Sequence, residues 1–226
     1  MCSISASFNA AKLNELIKLN AYRGAINHSI SVFGSNLNIA KYEGPVKETV
    51  EVRDKYVVVH QQAPTSNIYS EIDIHPAEHG SYFLWHNGIL KEEYLKRLQN
   101  EVNCHHTWDT HVMLVSIILK GFECLGEIDG SFACLMYDEK MQSLFAFRNE
   151  ISPLFYDNNL NISSTKFDNS IMLPANEVFL INIDKRSLKS VFKFTTKDNP
   201  YVFSNNQSST TTSSTYQQIE DFDPYA

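Results

Sequence analysis

Hydrophobic and polar positions in this chain fall into short blocks that predict a strand-rich domain. Apolar side chains alternate over residues 4–8, and a buried β-branched run occupies residues 55–60, which are two patterns typical of strands. Another strand is predicted over residues 82–86, where it stops at an Asn87-Gly88 turn. Further strands are predicted over residues 30–33, 131–137, 144–148, 154–156, 178–183 and 187–194.

Three segments show helical rather than strand periodicity. Leu13, Leu16 and Ile17 share one face of a helix predicted over residues 10–20, with Asn9 as its N-terminal cap. Residues 91–102 predict a charged, solvated helix, and a more apolar helix follows from Asp109, which is expected to be its N-cap. The pattern alone therefore indicates a mixed α and β domain with few helices.

Composition sets the domain boundaries. The chain has 226 residues, of which 43% are hydrophobic and 20% charged, and this balance is typical of one globular domain. Residues 205–215 consist of Asn, Gln, Ser and Thr and offer no apolar side chain to bury. We therefore predict a domain over residues 1–203 and a flexible acidic tail over 204–226. The aromatic and acidic residues that end the tail suit either a docking motif or a solvated terminus.

Charge and hydropathy argue against several classes of protein. The formal net charge is -7 without a Lys/Arg cluster, so direct binding of nucleic acid is not expected. Apolar runs are far shorter than the roughly 18 to 20 residues of a membrane span, and the N-terminus does not resemble a signal peptide, so we expect a cytoplasmic protein. The segment Cys104-His105-His106, with His111 downstream, lacks regular zinc-site spacing, and neither a metal nor another cofactor is expected.

Cys2 is the first candidate for chemistry. Removal of Met1 places a thiol and a free α-amine on the same residue. An α-amine has a reference pKa of about 7.7 to 8.0 and can accept the thiol proton near neutral pH, which activates the sulfur as a nucleophile. A cysteine at position two also occurs by chance, so the rest of a site is needed to support this role.

Polar motifs follow Cys2 in a recognisable order. They are Tyr22-Arg23-Gly24, the run from His60 to Thr65, His86-Asn87-Gly88-Ile89, Asp109-Thr110-His111-Val112 and the run from Gly126 to Ala133. Together, over residues 2 to about 160, they resemble the class II glutamine amidotransferases, whose glutaminase domain occurs in asparagine synthetase and glucosamine-6-phosphate synthase. The resemblance implies an α+β fold of the N-terminal nucleophile hydrolase type, a four-layer αββα sandwich with two packed antiparallel sheets.

The resemblance also implies a reaction. Cys2 would attack the side-chain amide of glutamine, expel ammonia and leave a glutamyl thioester for water to hydrolyse. By position, the Asn87 side chain and the Gly88 backbone N–H match the oxyanion hole of the family. Asp109 matches the acid that holds the ammonium group of the substrate. The remaining substrate-binding positions implied by the motifs are Arg23, Gln62, Ala63, Thr65 and Ser66.

Gln62 departs from the pattern of the family, which usually places an arginine there to pair with the substrate carboxylate. A neutral amide in its place should weaken carboxylate binding by about 1 to 2 kcal/mol unless another cation compensates. Arg23 and Arg53 are both candidates for that cation.

The sequence also departs from the family in length, because the predicted tail follows residue 203 and no Gly-rich ATP loop is present. We therefore expect a free-standing glutaminase that supplies ammonia to a synthase on a separate chain. Two alternatives remain open: an N-terminal nucleophile hydrolase that acts on a different amide, and a catalytically inactive subunit that binds a partner.

Overall fold

The computed structural model describes residues 2–63 and 73–196, and within them the chain forms two antiparallel sheets. The strands in chain order are β1 (Ser3–Ser7), β2 (Asn27–Phe33), β3 (Leu37–Glu43), β4 (Tyr56–Gln62), β5 (Ala77–His79), β6 (Tyr82–Leu90), β7 (Gly130–Asp138), β8 (Ser143–Arg148), β9 (Phe155–Tyr156), β10 (Ile162–Ser163), β11 (Ile171–Met172), β12 (Glu177–Asn182) and β13 (Ser187–Lys193). One sheet has the order β11-β9-β10-β1-β4-β2-β3, and the other β13-β12-β8-β7-β6-β5.

Three α-helices accompany the sheets in the described residues: α1 (Ala10–Leu19), α2 (Glu92–Glu101) and α3 (Asp109–Lys120). A 3₁₀ segment, Phe122–Glu127, follows α3. The predicted cap of α1 is confirmed, because the Asn9 side chain accepts a hydrogen bond from the backbone N–H of Lys12. The predicted cap of α3 is wrong by one position. Trp108 occupies the N-cap, and Asp109 is the first helical residue.

The space between the two sheets is filled by side chains that alternate along the strands. Ile4 and Val58 of the first sheet share a buried cluster with Trp85 and Leu135 of the second. Because successive side chains of a strand point to opposite faces, each sheet has a second apolar face that also needs cover. The helices provide that cover.

Helix α1 packs Leu13 and Ile17 against Val57 and Val59 on the outer face of the first sheet. Helices α2 and α3 contribute to the largest core cluster, which includes Leu84 and covers the outer face of the second sheet. The order helix, sheet, sheet, helix is the four-layer sandwich that the sequence predicted.

Strand β6 differs from its prediction in a way that matters for the site. It does not stop at Asn87-Gly88 but continues to Leu90, and Gly88 pairs with Phe132 of β7. Gly88 has φ +155°, and a Cβ atom there would lie 1.9 Å from the Ser131 carbonyl oxygen. The glycine therefore allows close contact of two strands, where the sequence had indicated a turn.

Strands β3, β5, β10 and β11 were not predicted. β3 lies at the edge of its sheet with mostly exposed or half-exposed side chains, and the other three have only two or three residues, so none carries a clear apolar alternation. The tail over 204–226 and its boundary at residue 203 lie outside the described residues and stay predictions. None of the helices in the described ranges is long and apolar enough to cross a lipid bilayer.

Candidate active site

Cys2 lies immediately before β1, buried beside the end of β4. Ser3 pairs with Gln61, so the chain beyond this pair brings Cys2 next to the last residues of β4. The Cys2 Sγ donates a hydrogen bond to the Ala63 carbonyl oxygen at 3.6 Å, and 5% of the residue is exposed. Ala63, predicted to bind substrate, thus contacts the nucleophile.

The thiol of Cys2 needs a base before it can react. Burial raises its pKa to about 11, and the negative charge of Asp109 acts in the same direction. A thiol with this pKa is protonated at neutral pH, so the sulfur is a weak nucleophile in the chain that retains Met1. This result fits the requirement for an α-amine on Cys2 itself.

The Arg23-Gly24 motif supports the backbone of the nucleophile. Arg23 is buried, and its Nε donates a hydrogen bond to the Cys2 carbonyl oxygen at 3.2 Å. Gly24 lies so close to β4 that a Cβ atom would be 2.6 Å from the Gln61 carbonyl oxygen. Arg53 precedes β4, at the opposite end of that strand from Gln62, and its exposed guanidinium pairs with Glu51 at 2.7 Å. Of the two candidate cations, Arg23 is the one at the site.

Asn87 is joined to the strand that carries the nucleophile. Its side chain is buried, and Nδ2 donates a hydrogen bond to Ser164 Oγ at 3.3 Å. The same hydroxyl oxygen accepts the backbone N–H of Ile4, two residues after Cys2, at 2.9 Å. Ser164, which the sequence analysis missed, therefore connects Asn87 and the Cys2 strand across the two sheets.

Asp109 lies at the start of α3 and is half-buried. Its Oδ1 accepts the Thr110 backbone N–H at 2.7 Å, and its Oδ2 accepts the Leu90 backbone N–H at 3.2 Å. The second bond turns the carboxylate toward the end of β6, which explains why Asp109 is not the helix cap. A carboxylate has about four acceptor positions, so capacity remains for a further donor such as a substrate ammonium group.

Comparison with known proteins identifies this arrangement. A sequence-family model described as a glutamine amidotransferase domain matches residues 1–221. The chain belongs to the glutamine amidotransferase domain family. The predicted resemblance to class II members is confirmed. A sequence search of curated proteins finds no significant match.

A solved structure resembles this amidotransferase in fold. Glutamine phosphoribosylpyrophosphate (PRPP) amidotransferase from B. subtilis, complexed with ADP and GMP, superposes with a TM-score of 0.66 at 18% sequence identity. The match covers 88% of this chain and 50% of that one, so the amidotransferase described here spans half the length of the solved enzyme. At this identity the likeness shows the fold, and it confirms the predicted α+β sandwich.

Gln62 of the amidotransferase has both ends of its side chain engaged within the protein. Nε2 donates to the Asp73 carbonyl oxygen at 3.0 Å, and Oε1 accepts the His75 backbone N–H at 3.4 Å. The side chain is buried and connects the end of β4 to Asp73 and His75, which follow positions 64–72. Thr65 and Ser66, also predicted to bind substrate, lie outside the described residues.

A group of buried histidines beside Gln62 was not predicted. The His60 ring stacks on the His75 ring with centroids 3.8 Å apart, and His60 Nε2 donates to the His86 carbonyl oxygen at 3.1 Å. His75 Nε2 and His86 Nδ1 each lie 3.2 Å from the Thr110 hydroxyl. Burial lowers the pKa of His60 to about 3 and that of His75 well below its usual range, so both rings are neutral.

The second histidine group lies near Cys104. Cys104 Sγ is 3.7 Å from His111 Nδ1, and the His106 ring stacks on the His111 ring at 4.4 Å. Across residues 2–63 and 73–196, no group of three or more His, Cys, Asp or Glu side chains has the arrangement needed to hold a metal ion.

Proposed function

We propose that this chain hydrolyses the side-chain amide of glutamine through a Cys2 thioester and supplies the ammonia to an acceptor enzyme on a separate chain. The observation that carries the proposal is the joining of Asn87 to the nucleophile strand through Ser164 and Ile4. These bonds bring the Asn87 side-chain N–H donor to the start of β1, where the buried Cys2 thiol lies beside the buried Arg23. A nucleophile and a donor for the developing oxyanion are the two parts that amide cleavage requires first.

The reaction follows from these groups. The α-amine of Cys2 takes the thiol proton, and Sγ attacks the amide carbon of glutamine. The oxygen of the tetrahedral intermediate accepts hydrogen bonds from Asn87 Nδ2 and the Gly88 backbone N–H. The ammonium form of the amine returns its proton to the leaving nitrogen, and ammonia departs. Water then hydrolyses the thioester and releases glutamate.

Substrate binding is assigned to the groups around the nucleophile. Asp109 accepts a hydrogen bond from the α-ammonium group of glutamine, with its own position fixed by Thr110 and Leu90. Arg23 holds the Cys2 carbonyl, so the sulfur stays in one place relative to the donors. Such positioning contributes to catalysis because the reacting atoms need no further search for alignment.

An acceptor enzyme is part of the proposal for a chemical reason. Hydrolysis without an acceptor would consume glutamine to no benefit. Co-purification of the full chain from its native cells, followed by an assay for glutamine-dependent amination, tests this point. The acceptor enzyme alone, without this chain, should aminate with free ammonium but not with glutamine. If it uses both nitrogen sources equally well without this chain, the proposal is contradicted.

The glutaminase assignment is tested with an affinity label. The full chain is treated with 6-diazo-5-oxo-norleucine, a glutamine-mimicking electrophile, and analysed by intact mass. We expect loss of Met1 and one covalent adduct on Cys2. Cys2→Ala should take no label, whereas Cys104→Ala, which removes a buried cysteine elsewhere, should label normally. Retained Met1, or equal labelling of Cys2→Ala, would contradict the proposal and favour an inactive binding subunit.

A second candidate function rests on the internal contacts of Gln62. Because this side chain bonds to Asp73 and His75, a different amide remains a candidate substrate. Ammonia release from glutamine, compared with asparagine and with γ-glutamyl amides, decides between the two functions. Faster turnover of one of the other amides would assign the chain to that substrate.

A further inference from the structure

We propose that Gln62 is a positioning residue, which holds Asp109 through His75 and Thr110, so that the site selects its amide substrate more by the α-amino group than by the α-carboxylate. The inference rests on the proposed function and concerns the same site. It assigns specificity to a chain of buried hydrogen bonds that leads away from the substrate.

The orientation of the Gln62 amide fixes the first link. Its Nε2 faces a carbonyl oxygen, that of Asp73, so Oε1 is the acceptor on the other side. That oxygen lies 3.4 Å from the His75 backbone N–H and 3.3 Å from His75 Nδ1. His75 therefore carries its ring proton on Nδ1 and donates it to Gln62, so Oε1 and one of the two N–H groups of Nε2 are engaged within the protein.

The second link joins His75 to Thr110. With its proton on Nδ1, the neutral His75 ring has an acceptor at Nε2, which lies 3.2 Å from the Thr110 hydroxyl. That hydroxyl has one proton to share among His75 Nε2, His86 Nδ1 at 3.2 Å and Asp109 Oδ1 at 3.3 Å. The ring is held in place by stacking on His60 at 3.8 Å and by an edge contact with Trp108 at 4.8 Å. Thr110 is buried, so its hydroxyl bonds within this group of side chains and not to solvent.

The third link reaches Asp109. The Thr110 backbone N–H donates to Asp109 Oδ1 at 2.7 Å, and the Thr110 hydroxyl lies 3.3 Å from the same oxygen. Fixing Thr110 therefore fixes the carboxylate that faces the substrate. Buried polar chains of this kind hold one geometry because each broken link leaves a donor or acceptor without a partner.

Substrate analogues test the inference on the unaltered full chain. The values of kcat/KM are measured for glutamine, for 4-aminobutanamide, which lacks the carboxylate, and for glutaramate, which lacks the amino group. We expect 4-aminobutanamide to be within about tenfold of glutamine. Glutaramate should be about 100-fold worse, the range expected for loss of a charge-assisted bond. Equal or faster turnover of glutaramate than of 4-aminobutanamide overturns the inference, while absence of turnover for all three overturns the proposed function instead.

Variants then test the positioning chain. Thr110→Val removes the hydroxyl at nearly constant volume, and Thr110→Ser keeps it. We expect Thr110→Val and Gln62→Leu to lower kcat/KM for the two amino-bearing substrates about tenfold while glutaramate changes less, and Thr110→Ser to resemble the unaltered chain. A merely structural defect would lower all three substrates equally, and that result would refute the positioning role.

Discussion

Replacement of Asn87 gives the sharpest check on the catalytic assignment. The side chain makes one hydrogen bond of 3.3 Å to Ser164, so Asn87→Ala should lower the free energy of unfolding by only about 1 to 2 kcal/mol. Loss of an oxyanion donor removes about 3 kcal/mol of transition-state stabilisation, which corresponds to a fall in kcat of roughly 100- to 1000-fold. KM should change little, because the donor acts on a charge that is absent from the bound substrate.

Ser164→Ala is the matched control, because it breaks the same contact from the other side. It leaves the buried Ile4 N–H without its 2.9 Å acceptor, so the unfolding free energy should fall by about 1 to 3 kcal/mol while kcat stays within about tenfold. Ammonia release from glutamine gives kcat and KM, and urea unfolding gives stability. If Asn87→Ala keeps kcat within tenfold, Asn87 is not an oxyanion donor.

Three further predictions concern the nucleophile, the buried histidines and the Arg-Gly motif. A tag fused directly before Cys2 blocks its α-amine and should slow glutamine hydrolysis on the order of 1000-fold relative to a C-terminal tag. The reason is that a thiol with a pKa of about 11 is almost wholly protonated at pH 8. Equal rates for the two tagged proteins would rule out the α-amine as base. The unfolding free energy should fall by about 1.4 kcal/mol for His60 as the pH drops from 7.5 to 5.5, and the lowered pKa of His75 acts in the same direction. Stability falls at low pH because the unfolded histidines bind protons below about pH 6.5 and the folded ones do not. Urea unfolding of His60→Asn should therefore show a shallower pH dependence of stability than the unaltered chain. An unchanged pH dependence would contradict this prediction. Gly24→Ala should destabilise the fold by about 1 to 3 kcal/mol, since its Cβ would lie 2.6 Å from backbone atoms. Gly34→Ala is the control and should destabilise the fold less, because there the Cβ would lie 3.1 Å from the movable Lys55 amine. Equal urea midpoints for the two variants would contradict this prediction.

Much of the fold was predictable because its long elements have regular patterns. Helix α1, with its Asn9 cap, and strands β1, β4, β7 and β8 follow directly from apolar periodicity and capping chemistry. The short strands were missed because two or three residues cannot show a period. The turn predicted at Asn87-Gly88 was wrong because local turn preference and close packing against Ser131 demand the same residue, glycine.

The site divides in a similar way. Cys2, Asn87 and Asp109 were assigned to the site because several motifs occur in the same order as in the family. That order indicates the family, which no single motif does. The internal role of Gln62 was out of reach, because it depends on Asp73 and His75 returning to the end of β4 after positions 64–72. Ser164 is separated from Asn87 by 77 residues, and no local pattern reports such a contact.

The continuation of β6 through Asn87 and Gly88 has a consequence for how charge is accommodated during the reaction. Both residues belong to a strand paired on one side with β7 and on the other side, nearer its start, with β5. In the proposed reaction, the dipoles that meet the oxyanion are therefore oriented before the substrate arrives, and they need not turn as water molecules must. In a loop, the same two groups would add a reorganisation energy to every turnover.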